Sequence, residues 1–312
     1  MKLIIQPDDG VAPTVTAIKQ ARKSVDILIF RLDRHEITRA LEDAVSRGVT
    51  VRALIAHTNK GGDKTLRKLE LRLLAGGVTV SRTADDLVRY HGKMVIIDNR
   101  TLHVYGFNFT RLDVARSRSL GVITRNAKLV QEALKLFNAD DARQPYTPTS
   151  NRLIVSPENA RERLTSFIAG ARRELLIYDP QVSDEAMLRL LAQRLRAGVL
   201  VRVIGKIEPK WKIPGEKLPG ARLHVRAIIR DRRRAFLGSQ SLRRLELEKR
   251  REIGIMIHDE CVVKQMVDVF QEDWRKTELG KKGLRKELKK VFGKRVAKKR
   301  AAQIERTLAA AS

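Results

Sequence analysis

His91 and Lys93 stand two positions apart in the stretch YHGKMVIID, on what reads as a β-strand, and Asp98 closes it. Side chains two apart on a strand share a face, so an imidazole and an ammonium group point the same way. The pattern returns 133 residues later, where LHVRAIIRD carries His224, Arg226 and Asp231 at the same spacing. The same offset then aligns Tyr105–Asn108 with Gly238–Ser241, and RSLGVIT with REIGIMI. A single His-x-Lys is a weak signal, whereas two in matched strand contexts form a strong one.

Packed about a pseudo-twofold axis, the two copies would meet at one cleft. That cleft would hold two imidazoles, Lys93, Arg226, and polar donors from Asn108, Ser239 and Ser241. Such a set suits a phosphate diester. One imidazole attacks phosphorus to give a phosphohistidine, while the other protonates the leaving alcohol and later activates water or an acceptor alcohol. Lys93 and Arg226 neutralise the non-bridging oxygens, a part often taken by a metal in phosphoryl transfer. No carboxylate cluster has metal-ligand spacing, so the expected reaction uses no metal and no cofactor. Asp98 and Asp231, at strand ends, read as structural carboxylates that hold turn amides. His35, His57, His103 and His258 read as ordinary core or surface histidines.

These residues resemble the phospholipase D superfamily, whose signature is a twice-occurring His-x-Lys-x4-Asp-x6-Gly-Ser-x-Asn. The resemblance runs to about Glu278, and the layout of the halves is similar to cardiolipin-synthase-like members. The sequence departs from the signature at Arg226 (for Lys), at Ser241 (for Asn), and at Tyr105 and Gly106 (for Gly and Ser). The resemblance implies paired α/β halves with the site between them, and phosphodiester hydrolysis or transphosphatidylation without metal. It also implies an acid after the turn that faces the histidine. Glu252 lies 28 residues beyond His224, where the position 28 beyond His91 is Ser119. On that spacing Glu252 is expected beside His224, favouring its protonation, so that His91 is the nucleophile and His224 the general acid.

The elements that must position these groups follow from periodicity. VDILIFRL and VTVRALIAH read as buried strands around a helix from about Glu36 to Ser46, the βαβ arrangement of a parallel sheet. ARKSVDILIF is echoed by ARRELLIYDP, and RGVTVRAL by AGVLVRVI, both 150 residues on. The offset falls from 150 to 133 because the first copy holds an extra helix near GDKTLRKLELRLLAG. The expected fold is therefore α/β, with two duplicated halves, each a mixed sheet flanked by helices and packed pseudo-twofold. The expected boundaries are 1–140 for the first half, a linker at 141–151 within ADDARQPYTPTSN, 152–279 for the second half, and a basic helical tail at 280–312. The Pro- and Gly-rich stretch GKIEPKWKIPGEKLPG, with Trp211, reads as a long loop.

Composition sets the partners. Lys and Arg number 64 against 36 Asp and Glu, a net charge of +28, which points to polyanions. Residues 280–300 alone hold eleven basic side chains and the single acid Glu287, enough to draw the chain to anionic lipid or nucleic acid. An aromatic content of 4% argues against base stacking as a mode of recognition. No run reaches the length of a membrane span and no export signal opens the chain, so a cytoplasmic protein is expected, peripheral on the inner face of the membrane. Cys261 is expected to be a buried structural thiol. The function expected is a phospholipid phosphodiesterase or phosphatidyltransferase. A nuclease and a noncatalytic polyanion-binding module are the alternatives, and a monomer suffices to complete the site.

Overall fold

The structure is a computed structural model that describes residues 1–58, 62–286 and 304. The first half holds strands β1 (Lys2–Gln6), β2 (Ser24–Ile29), β3 (Thr50–Ile55), β4 (Thr79–Arg82), β5 (Arg89–Tyr90), β6 (Met94–Ile97), β7 (Thr101–Tyr105) and β8 (Ser117–Thr124). Its helices are α1 (Ala12–Gln20), α2 (His35–Ser46), α3 (Gly62–Ala75), α4 (Arg111–Ala115) and α5 (Ala127–Asp141). The second half repeats the order with β9 (Leu153–Ser156), β10 (Glu174–Gln181), β11 (Leu200–Lys206), β12 (Gly215–Glu216), β13 (Arg222–Leu223), β14 (Ala227–Arg230), β15 (Arg234–Gly238) and β16 (Arg250–Ile257). Its helices are α6 (Ala160–Ala169), α7 (Glu185–Arg196), α8 (Arg244–Glu248) and α9 (Glu260–Lys276), and residues 278–286 are also helical. The rest of the basic tail lies outside the described residues, Ile304 apart.

Each half forms a mixed sheet. The first runs β1-β8-β7-β6-β2-β3-β4 and the second runs β12-β11-β10-β14-β15-β16, with β9 on the far side of β16. β2, β3 and β4 are parallel, as are β10, β11 and β12, while the hairpin strands beside them are antiparallel. Alternation explains the near-continuous apolar runs, because both sheet faces are covered. In β2, Val25, Ile27 and Ile29 pack outward against Ile18, Ile37 and Leu41 of the flanking helices, and Leu28 faces inward. In β10, Leu175 and Ile177 meet Leu164, Leu188 and Leu191 outside, while Leu176 and Tyr178 face inward. The inner cluster joins the halves, with α5 (Leu129, Phe137) and α9 (Met266, Phe270) contributing from each.

The repeat extends to local devices. Asn126 caps α5 by accepting from the Leu129 amide, and Asp259 caps α9 by accepting from Val262. Asp98 and Asp231 both take positive φ, 52° and 53°, in the tight turns that leave β6 and β14. Their carboxylates reach across to the amides of Arg22, Lys23 and Ser24, and of Arg172, Arg173 and Glu174. They hold the start of the neighbouring strand rather than their own turn. Cys261 departs from expectation: it is exposed, because the buried face of α9 is formed by Val262, Val263, Met266 and Val267.

Two very short strands break the independence of the halves. β5, although in the first half of the chain, pairs in parallel with β16, Arg89 opposite Arg250. β13, in the second half, pairs in parallel with β8, Arg222 opposite Ser117. The exchange is reciprocal, and each strand delivers the histidine that follows it.

Candidate active site

His91 leaves β5 with its amide bonded to the carbonyl of Arg251, 2.7 Å away, and His224 leaves β13 with its amide on the carbonyl of Arg118, 3.0 Å away. Each histidine is thus seated on the sheet of the opposite half. Glu252, on β16, therefore lies beside His91 and not beside His224: Glu252 Oε2 is 2.7 Å from His91 Nδ1. The expectation that Glu252 faces His224 is corrected here, since counting along one copy misses a strand exchange between copies. The position corresponding to Glu252 in the first half, Ser119, lies at His224 instead, its hydroxyl 3.4 Å from the His224 carbonyl.

The other ring nitrogen of His91, Nε2, lies 2.8 Å from Lys93 Nζ. While Lys93 is an ammonium it can only donate, so Nε2 then accepts, and the ring proton sits on Nδ1 and is donated to Glu252. The ring packs edge-on to Phe30 with centroids 4.5 Å apart, and Lys93 Nζ lies 5.2 Å from the same Phe30 centroid. Burial, then the charges of Lys93 and Arg226, push His91 well below the ordinary histidine range, so the ring is neutral. Burial also brings Lys93 down to about 7, opposed by Glu252, and pushes Glu252 up.

His224 has a different acid. Its Nδ1 lies 3.7 Å from Asp113 Oδ2 and has no hydrogen-bond partner among the described residues. Burial would raise the Asp113 carboxyl, but His224, the Asn108 donors and Arg222 outweigh it and hold it below its usual value. His224 itself is lowered by burial and by Arg226.

The remaining expected residues gather around these pairs. Arg226 Nε donates to Ser241 Oγ at 2.9 Å and lies 3.7 Å from Glu246. The Asn108 amide and side-chain nitrogen both donate to Asp113, at 3.0 and 2.6 Å, and the buried Asn108 Oδ1 has no partner among the described residues. The Ser239 hydroxyl is committed to the backbone of Ile253 and borders Glu252. Lys93 and Arg226 each depress both imidazoles, which puts all four groups in one electrostatic neighbourhood. Asp98 and Asp231 stay at the strand starts already described. Four contributors escape the sequence reading: Phe30, Arg222, Asp113 and Glu246. The two acids had a signal, because each stands five residues after an aligned polar residue, Asn108 or Ser241, and accepts its backbone amide.

Two interlocked α/β halves, each lending its histidine to the other's sheet, define the class: a duplicated fold whose two His-x-basic pairs share one electrostatic neighbourhood. Residues 14–140 match the family model described as "Cardiolipin synthase, PLD-like domain". The mitochondrial cardiolipin hydrolase of Danio rerio is 30% identical over 125 residues, which is 39% of this chain and 54% of that protein. The chain thus spans about half the length of that curated relative. Among solved structures, a polyphosphate kinase from Porphyromonas gingivalis superposes with a TM-score of 0.75 at 18% identity, covering 88% of this chain and 47% of that one. A phosphatidylserine synthase from Haemophilus influenzae Rd KW20 gives 0.68 at 12% identity, covering 89% and 86%. Both show likeness of fold. These likenesses support a place in the phospholipase D superfamily, carried by residues 14–140.

Proposed function

We propose that the chain is a phosphodiesterase of phospholipids, acting by hydrolysis or transphosphatidylation through a phosphohistidine on His91. The observation that carries this is the bracketing of His91 by Glu252 at Nδ1 and Lys93 at Nε2. A phosphate oxygen arriving at Lys93 draws the ammonium away from Nε2 and frees its lone pair for phosphorus. As the Nε2–P bond forms, positive charge develops on the ring and Glu252 stabilises it through the Nδ1–H bond. His224 gives a proton to the departing oxygen as its bond to phosphorus breaks. His224 is neutral without substrate, and the negative phosphodiester between Lys93 and Arg226 raises its affinity for that proton, with Asp113 assisting. In the second half-reaction His224 takes a proton from water or an alcohol, the new O–P bond forms, and Nε2 leaves. Arg226, fixed by Ser241, neutralises non-bridging oxygen.

The lipid substrate is favoured by the family description and by the named relative, and an excess of 28 positive charges favours an anionic surface as its setting. Among the described residues no helix is long and apolar enough to cross a membrane; the membrane contact we propose is a peripheral one, drawn by the excess positive charge. The protein incubated in EDTA with phosphatidylglycerol vesicles, and separately with plasmid, is expected to consume the lipid, and His91→Ala is expected to stop it. Consumption of plasmid alone would replace the lipid by nucleic acid, activity lost to EDTA would end the metal-free reading, and turnover undiminished in His91→Ala would end the mechanism.

A further inference from the structure

Next to Arg226 and Ser241, the second half opens into a cavity of about 850 Å³. Its walls include Val182, Leu218 and Leu223, and its cations include Lys206 and Lys217, both exposed. The other basic groups there have partners: Arg222 bonds Asp113, Arg243 lies 3.5 Å from Glu246, and Arg226 bonds Ser241. Lys206 and Lys217 have no ion pair among the described residues.

The first half is built differently at the matching positions. Pro180, Lys206 and Leu223 correspond to Phe30, Ala56 and Tyr90, which pack together as an apolar cluster with Ala84 and Leu87. The backbone differs as well. Gly205, at φ +151°, lies against the Asp179 carbonyl where any Cβ would collide, at the irregularity between β10 and β11, and its counterpart in the first half is Ile55. The near-symmetric fold therefore has a cationic cavity on the His224 side and an apolar cluster on the His91 side.

In-line displacement gives that asymmetry a chemical meaning. When Nε2 of His91 attacks, the departing oxygen lies on the opposite side of phosphorus, toward His224. Leu223 and Arg226, which flank His224, line the cavity. We infer that the cavity is the subsite for the alcohol arm that leaves, or that enters in transfer, and that it takes an arm bearing its own phosphate, held by Lys206 and Lys217. A phosphate monoester carries a charge of about −1.5 to −2 near neutrality, which two unpaired ammonium groups match. This rests on the phosphodiester reading above for its catalytic consequence, whereas the binding site itself does not.

Mixed micelles of dioleoyl phosphatidylglycerol and of dioleoyl phosphatidylglycerophosphate present the same reacting phosphorus and differ only in the terminal phosphate of the arm. The wild-type kcat/KM is expected to favour the phosphorylated arm by about tenfold or more, a loss typical of leaving a charged ligand group unpaired. Lys206→Gln/Lys217→Gln is expected to abolish the preference while leaving turnover of phosphatidylglycerol unchanged. Equal rates in the wild type, or a preference that survives in the double variant, would overturn the subsite. Should neither lipid turn over, the proposed reaction fails, and calorimetric titration with sn-glycerol 3-phosphate then decides the subsite. Binding weakened about tenfold in the double variant supports it, and unchanged or undetectable binding in the wild type refutes it.

Discussion

At the scale of single residues, the site is a set of buried groups that share few protons, and its chemistry depends on where they sit. Glu252 fixes the proton of His91 on Nδ1, so Glu252→Gln keeps an acceptor there but removes the charge that stabilises the imidazolium developing in attack. With the proposed mechanism, kcat should fall roughly 10²- to 10⁴-fold with little change in KM, measured on phosphatidylglycerol vesicles. An equal loss in Ser119→Ala would show that neither position has a special electrostatic role. The pH dependence should follow Lys93, whose value of about 7 means that its charge is lost as pH rises past neutrality. kcat/KM should therefore decline on the alkaline side as His224 and then Lys93 lose their protons, and Lys93→Arg, which copies Arg226, should remove the step near 7. The titration of Lys93 does not itself destabilise the fold there. A lysine lowered from 10.5 to about 7 binds fewer protons folded than unfolded between those values, so stability rises with pH in that window. The repeated His-x-basic pairs were legible in the chain because a strand fixes which side chains share a face. The partner of Glu252 was not, because it depends on which sheet receives β5 and β13.

At the scale of elements, the repeat was legible where apolar alternation carries it and illegible where two-residue strands do. β2, β3 and α2 announce themselves by periodicity, and the drop in offset from 150 to 133 marks α3, which is present in the first copy and replaced by the Pro209–Trp211 turn in the second. β5 and β13 have two residues each, too few to show a period, although they carry both histidines into place. The carboxylates of Asp98 and Asp231 act at this scale. Burial would raise them, but the three strand-start amides that each one accepts outweigh it and hold them below their usual value. Asp98→Asn and Asp231→Asn should each lose about 1–3 kcal/mol, the price of a weakened charged acceptor for several amides, read as a fall of several degrees in Tm. The penalty should be present at neutral pH and vanish as pH falls through the folded-state values, because protonated aspartate has already lost the charge. A substitution that lowers activity without shifting Tm would move these residues from the frame into the site.

At the scale of the whole molecule, two copies of the motif make one site and not two. Independent halves would each need a complete set of groups within one copy, yet His91 takes its acid from β16 and His224 faces Asp113 of α4. The inner core, with α5 from one copy and α9 from the other, locks that exchange in place. The copies have also diverged in chemistry: Lys93 against Arg226, Ser119 against Glu252, Phe30 against Pro180. That divergence assigns unequal roles to two similar histidines, and it predicts a stoichiometry. With a labelled phosphodiester and quenching in alkaline detergent, which preserves the acid-labile N–P bond, His224→Asn should trap a phosphoenzyme, since the group that activates water is gone while attack by His91 remains possible on an activated leaving group. His91→Asn should trap none. Label should approach one per chain and stay there as substrate is raised. A plateau at two per chain would mean that each half reacts alone, and label that persists in His91→Asn but not in His224→Asn would exchange the two roles.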